Sequence, residues 1–202
     1  MRIAFFTLEY SPFVIGEAGR YRFITLYSGR LHLRKGIDFL LKSSSAVANR
    51  APDSVLVLAG PDAGYGGRAR NMVRALGLEE RVLFIGFVDD PRAAYVDATV
   101  VVYSGFYEVF GLVPFEALLC GTPVIVSDDC GCGEFVRSAD LGYVVKYGAV
   151  SELTDVMIRV VESPDESKRM VDLAKRYIKE NLAWKTVARR LEETYANCVR
   201  HV

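Results

Sequence analysis

Short apolar runs recur along the chain, and several show no polar alternation at all. SVLVLA at 54–59, ATVVVY at 98–103 and TPVIV at 122–126 are examples. A strand that is apolar on both faces must be covered on both faces, which is the condition of a parallel sheet held between helices. The remaining strand candidates are 2–8, 23–28, 82–86 and 142–145. Between them lie stretches with helical spacing at 37–49, 65–77, 112–120, 150–162, 166–180 and 186–199. Gly121 and Pro123 supply a stop after helix 112–120, and Pro114 is tolerated there because it falls in the first turn. Alternation of this kind predicts an α/β fold, an open parallel sheet with right-handed crossovers and helices on both faces. At 202 residues the chain suits one substantial domain.

Charge excludes some functions. Twenty-five basic and 25 acidic residues cancel, so no global field draws in nucleic acid or anionic lipid. No apolar run approaches the roughly 18 residues of a membrane helix. The N-terminal MRIAFFTLEY is interrupted by Glu9 and lacks a signal-peptide layout, so it reads as a strand and the expected location is cytoplasmic, with peripheral membrane association left open. Cys130 and Cys132 are too close for an easy disulfide, and with Cys120 and Cys198 they read as reduced thiols. His32 and His201 are far apart, and no metal-ligand spacing accompanies them, so no metal is expected.

In open α/β sheets, ligands bind beyond the carboxyl ends of the strands. Three loops fall at such ends. The first, Ser28 to Gly36, offers the planar donors of Arg30 and the compact charge of Lys35, either of which suits phosphate; its bland alternative is a solvated basic turn. Arg34 reads as an ordinary surface charge. The second leads into helix 112–120. It carries Glu108 and Glu116 on either side of the turn Phe110-Gly111-Leu112, where a glycine permits close approach and a helix start presents free N–H groups. Glu116 alone could simply stabilise the helix start, and Glu108 alone could be solvated. The third, Ser127 to Glu134, has glycines that bring amides to a ligand or leave a flexible loop. Tyr103 and Tyr107 border the second loop, where their rings could flank a base or a sugar, although core packing is the commoner fate of such residues; Trp184 reads as a packing anchor.

GRLHLRKG, LVLAGPD, VLFIGFV, EVFGLVPFEAL and CGTPVIVSD, in this order and spacing, resemble the C-terminal donor domain of GT-B glycosyltransferases, in particular the large retaining group called family four or group 1. The resemblance covers about residues 23–200 and implies a Rossmann-like half of such an enzyme. It implies that Arg30 and Lys35 hold the donor diphosphate, that Glu108 binds sugar hydroxyls and that Glu116 binds ribose. It implies further donor contacts at Gly29, Phe110, Gly111, Leu112, Gly131 and Glu134, a nucleotide-sugar substrate, and no cofactor or metal. Val109, Tyr103 and Cys130 depart from the glycine, proline and glycine usual at those positions. Residues 1–22 resemble the opening strand and glycine loop of an N-terminal acceptor domain that is otherwise missing, leaving 23–202 as the nucleotide-sugar-binding unit.

Three functions follow. The first is sugar transfer from a nucleotide sugar with retention, weak or absent in this chain alone. The second is a non-catalytic nucleotide-sugar-binding module. The third is an interaction protein whose strand 2–8 or helix 186–199 pairs with a second copy or a separate acceptor-domain partner.

Overall fold

The computed structural model describes residues 21–200, so strand 2–8 lies outside the described residues. Six strands form one all-parallel sheet: β1 Phe23–Ser28, β2 Ser54–Ala59, β3 Val82–Gly86, β4 Val100–Tyr103, β5 Val124–Ser127 and β6 Tyr143–Val145. Their spatial order is β3-β2-β1-β4-β5-β6. This is the doubly wound Rossmann-like arrangement, and the order reverses between β1 and β4. The ladder between those two strands registers only Thr25↔Val100 and Leu26↔Val101. Both strands then run on, to Ser28 and Tyr103, so a crevice opens at their carboxyl ends.

Side-chain alternation along the strands divides the core in two. Val100 and Val102 join Phe23, Tyr27 and Leu58 on one face, under helices α1 Ile37–Arg50, α2 Gly66–Ala75 and α6 Val150–Glu162. Val101 and Tyr103 join Leu26 and Val126 on the other. That face packs against α3 Arg92–Asp97, α4 Val113–Cys120, α5 Gly131–Ser138 and α7 Pro164–Asn181. The strands β2, β4 and β5 are thereby covered on both faces, as their unbroken apolar runs required, while edge strand β3 is only partly buried.

The last helix, α8 Trp184–Arg200, corrects one expectation. Trp184 is no packing anchor: it is 88% exposed, and Leu191 and Tyr195 on the same stripe are exposed as well. Among the described residues, no helix is long and apolar enough to cross a membrane.

Candidate functional site

The crevice at the carboxyl ends of β1 and β4 is bordered by the loops after β1, β4 and β5. Direct bonds join these loops. After β1 the chain makes a 3-10 turn, Leu33–Lys35, and Gly36 follows in the left-handed region at φ +63°. A Cβ on Gly36 would stand 2.0 Å from the Ser104 carbonyl oxygen, so the first two loops meet backbone to backbone. Ser104 Oγ donates to the Lys35 carbonyl at 3.0 Å, and Phe106 N–H donates to the Arg34 carbonyl at 2.9 Å.

The second and third loops are tied as tightly. Gly131 N–H donates to the Glu108 carbonyl at 3.0 Å and Cys132 N–H to the Phe110 carbonyl at 2.9 Å. Ser127 Oγ donates to the Gly105 carbonyl. The third loop is therefore not a flexible one: from Gly131 onward it is α5. Gly131 lines the site, but its N–H already serves Glu108. Its lack of a side chain is what matters, because a Cβ would lie 2.0 Å from the Val109 carbonyl oxygen. Gly29 is similar, with its N–H bonded to the Ala59 carbonyl at 2.8 Å.

The charged groups fall into two linked sets. In the first, Lys35 Nζ forms an ion pair with Glu108 Oε2 and lies 3.3 Å from Tyr103 Oη. The hydrogen bond from Lys35 holds the Glu108 carboxyl below its usual range; partial burial opposes it, and the Lys35 charge and the Tyr103 hydroxyl assist. Burial, followed by the Glu108 charge, pushes the Tyr103 phenol up. In the second set, Tyr95 Oη donates to Glu116 Oε2 at 3.1 Å. Its one proton is then used, so Ser28 Oγ donates to Tyr95 across 3.2 Å. Burial, more than any other influence, pushes the Tyr95 phenol up to about 12. This relay runs from the end of β1 through α3 to the first turn of α4.

Arg30 is exposed beside these sets, and its carbonyl accepts from Tyr27 Oη at 2.7 Å. Buried Tyr27 feels both the Arg30 and Glu108 charges. Among the described residues, Arg30 has no ion-pair partner, and the N–H groups of Gly111, Leu112 and Val113 meet no acceptor. Gly111, at φ +88°, turns the chain into α4 there. An adjoining cavity of about 340 Å³ is walled by Tyr107, Glu108, Val109, Asp129, Gly131 and Glu134, with Asp128 and Cys130 completing it. A guanidinium and open amides suit an anion, and a carboxylate-walled hollow accepts bonds from hydroxyls. Among the described residues, no group of three or more His, Cys, Asp or Glu could hold a metal.

A family model described as glycosyl transferases group 1 matches residues 15–177. The chain belongs to that family. The D-inositol 3-phosphate glycosyltransferase of Rhodococcus erythropolis is 31% identical to this group 1 chain over 182 residues, covering 85% of it and 40% of the relative. The Anabaena HepE crystal structure in complex with UDP aligns with TM-score 0.83 at 22% identity, over 96% of this chain and 52% of that one. The C-terminal domain of a glycosyl transferase group 1 family protein from Francisella tularensis aligns with TM-score 0.72 at 19% identity, over 80% of this chain and 87% of that domain. At these identities the structural likeness is one of fold: this group 1 chain has the architecture of one GT-B half. It spans about half the length of the full-length relatives it matches.

Two contributors escaped the sequence reading of this glycosyl transferase domain. Tyr95 sits on α3, a six-residue helix too short to show a repeating apolar pattern. Its start was nonetheless marked, because Asp90 accepts from Arg92 N–H and Pro91 precedes the first turn. The sequence suggests a role for the Tyr103 ring, and a departure from the usual proline, but nothing for its hydroxyl. Tyr103 is buried, but its hydroxyl reaches the Lys35–Glu108 pair.

Proposed function

We propose that this domain binds a nucleotide-sugar donor at the rim of the β1–β4 crevice, and that the protein containing it transfers the sugar with retention. The observation that carries this reading is the bonding of three strand-end loops into one rim. That rim gathers Arg30, Lys35, the Glu108 carboxylate, the open amides of 111–113 and the Glu116 relay. Arg30 and the amides hold the diphosphate, joined by Lys35 once the donor's phosphate competes with Glu108 for it. Glu108 and the acid-walled cavity take the sugar hydroxyls, with Glu134 on the far wall. Glu116, oriented by Tyr95, takes the ribose hydroxyls. Cation and amide stabilisation of the leaving diphosphate is then the principal catalytic lever. No cofactor is required.

Residues 23–202 form the donor-binding unit in this reading, and the acceptor is held elsewhere. The exposed apolar stripe of α8 supports contact with an acceptor-side domain or a second copy. Four unpaired cysteines support a cytoplasmic setting. The test is calorimetry of the chain with UDP, GDP and ADP. Saturable binding that weakens on Glu116→Ala and on Lys35→Ala is expected. Absence of binding to all three nucleotides refutes the reading. Radiolabelled sugar transfer, with and without a supplied acceptor domain, separates an enzyme half from a module that only binds.

A further inference from the structure

The sugar-transfer reading leaves one reactive cluster unused. Cys130 and Cys132 are both unpaired, and their sulfurs lie 3.1 Å apart, inside ordinary van der Waals separation. Cys130 is the residue before the first turn of α5; it is 6% exposed and forms part of the cavity wall, which makes it the cavity-side member of the pair. Cys132 is fully buried behind it. The sequence spacing alone argued against an easy disulfide. The local fold removes that objection: extended Cys130 (φ −147°, ψ 149°) is followed directly by helix, which brings the two side chains together.

We propose that Cys130 and Cys132 form a two-electron oxidation site whose disulfide resets the loop carrying Glu108. The oxidant is a hydroperoxide. Cys130 is the attacking sulfur: its own S–H points to the Ser127 carbonyl at 3.0 Å, so the Cys132 S–H donates to it, and that bond with help from the Gly133 N–H outweighs burial and the Glu108 charge and lowers the Cys130 thiol below its ordinary range. Its sulfur attacks one peroxide oxygen, the O–O bond breaks, and the departing oxygen takes a proton. Cys132 then displaces hydroxide from the resulting sulfenic sulfur, and its own proton completes a water. With hydrogen peroxide the sum is two thiols and one peroxide giving one disulfide and two waters.

The structural consequence follows from distances. A disulfide bond is about 2.05 Å long, so the sulfurs must close by about 1 Å from their present separation. The backbone between them carries Gly131 N–H and Cys132 N–H, the two donors that hold the Glu108 and Phe110 carbonyls. Closing the ring pulls on both ties. A thiol pair at this position therefore couples the oxidation state of its surroundings to the placement of a cavity-wall carboxylate, whatever ligand the cavity takes.

The test uses the full chain with Cys198→Ser, which removes the exposed thiol of α8. The protein is treated with stoichiometric hydrogen peroxide, alkylated and digested. A loss of about 2 Da on the peptide holding both residues, reversed by dithiothreitol, is expected. Amide exchange at Gly131 and Cys132 in the oxidised protein is expected to quicken roughly tenfold, with β-strand amides unchanged. Cys132→Ser should stop at a sulfenic or over-oxidised Cys130. If that variant does not fold, the mass of the Cys198→Ser peptide still decides. Oxidation confined to Cys120, over-oxidation of Cys130 without the 2 Da loss, or a disulfide that leaves both amides protected overturns the proposal.

Discussion

Gly36 joins the β1 loop to the β4 loop, and replacing it with alanine measures that junction. Gly36 sits at φ +63°, and Gly77, past the end of α2, sits at φ +66°. An added Cβ at Gly77 meets nothing within 4 Å, whereas at Gly36 it meets the Ser104 carbonyl oxygen at 2.0 Å and the Tyr147 ring at 3.3 Å. The backbone cost of a left-handed alanine, about 1–2 kcal/mol, is common to both sites. So is the partial offset, about 0.4–1 kcal/mol, from a less flexible unfolded chain. Gly77→Ala should therefore cost on the order of 1 kcal/mol. Gly36→Ala adds forced displacement of a main-chain carbonyl, which at overpacked sites costs typically 1–3 kcal/mol. The difference between the variants, about 1–3 kcal/mol, isolates the loop contact. Urea unfolding followed by circular dichroism, with an unchanged m-value, gives both free energies. Equal destabilisation within about 0.5 kcal/mol would falsify the claim that the two loops are locked by backbone contact.

Three further outcomes are expected. Lys35→Ala removes the main influence depressing the Glu108 pKa, so the carboxyl should titrate closer to its ordinary range in a carbon-13 NMR titration. Because that pKa is lowered on folding, its contribution to stability is present above the ordinary glutamate pKa and disappears as pH falls through the lowered value; the variant should show a weaker acid-side loss. Glu116→Ala should weaken nucleotide binding roughly tenfold or more, as expected for a lost charged acceptor, and Tyr95→Phe should weaken it less because it only releases the carboxylate's orientation; calorimetry ranks the two. Replacing Trp184, Leu191 and Tyr195 together by serine should change stability by only about 0.5 kcal/mol, since all three are exposed; a large drop in melting temperature would show that α8 is held by this domain.

Much of the fold could be read because burial on both faces leaves a plain mark. The runs at 54–59 and 82–86 became β2 and β3 with the same bounds, and the strands at 98–103 and 122–126 shifted by only one or two residues. Placing the three loops at strand ends needed only that alternation, and their meeting at the β1–β4 crevice follows from the strand order. What stayed hidden depends on neighbours distant in sequence. Helix α5 contains Gly131 and Gly133, each a poor helix former by about 1 kcal/mol, yet close packing against Val109 and Ser127 demands glycine at both. The exposure of Trp184 was equally unreadable, because an amphipathic stripe looks the same whether or not anything covers it. The pairing of Lys35 with Glu108 spans 73 positions, and no local pattern announces it.

The seams between the three loops are made largely of main-chain atoms: Phe106 to Arg34, Gly131 to Glu108, Cys132 to Phe110. Hydrogen bonds of this sort are blind to residue identity. The side chains between them, such as Val109 at 95% exposure, are therefore free to vary without loosening the frame. An architecture of this kind lets descendants change what they recognise by single substitutions, keeping one inherited scaffold while the chemistry at its lip diversifies.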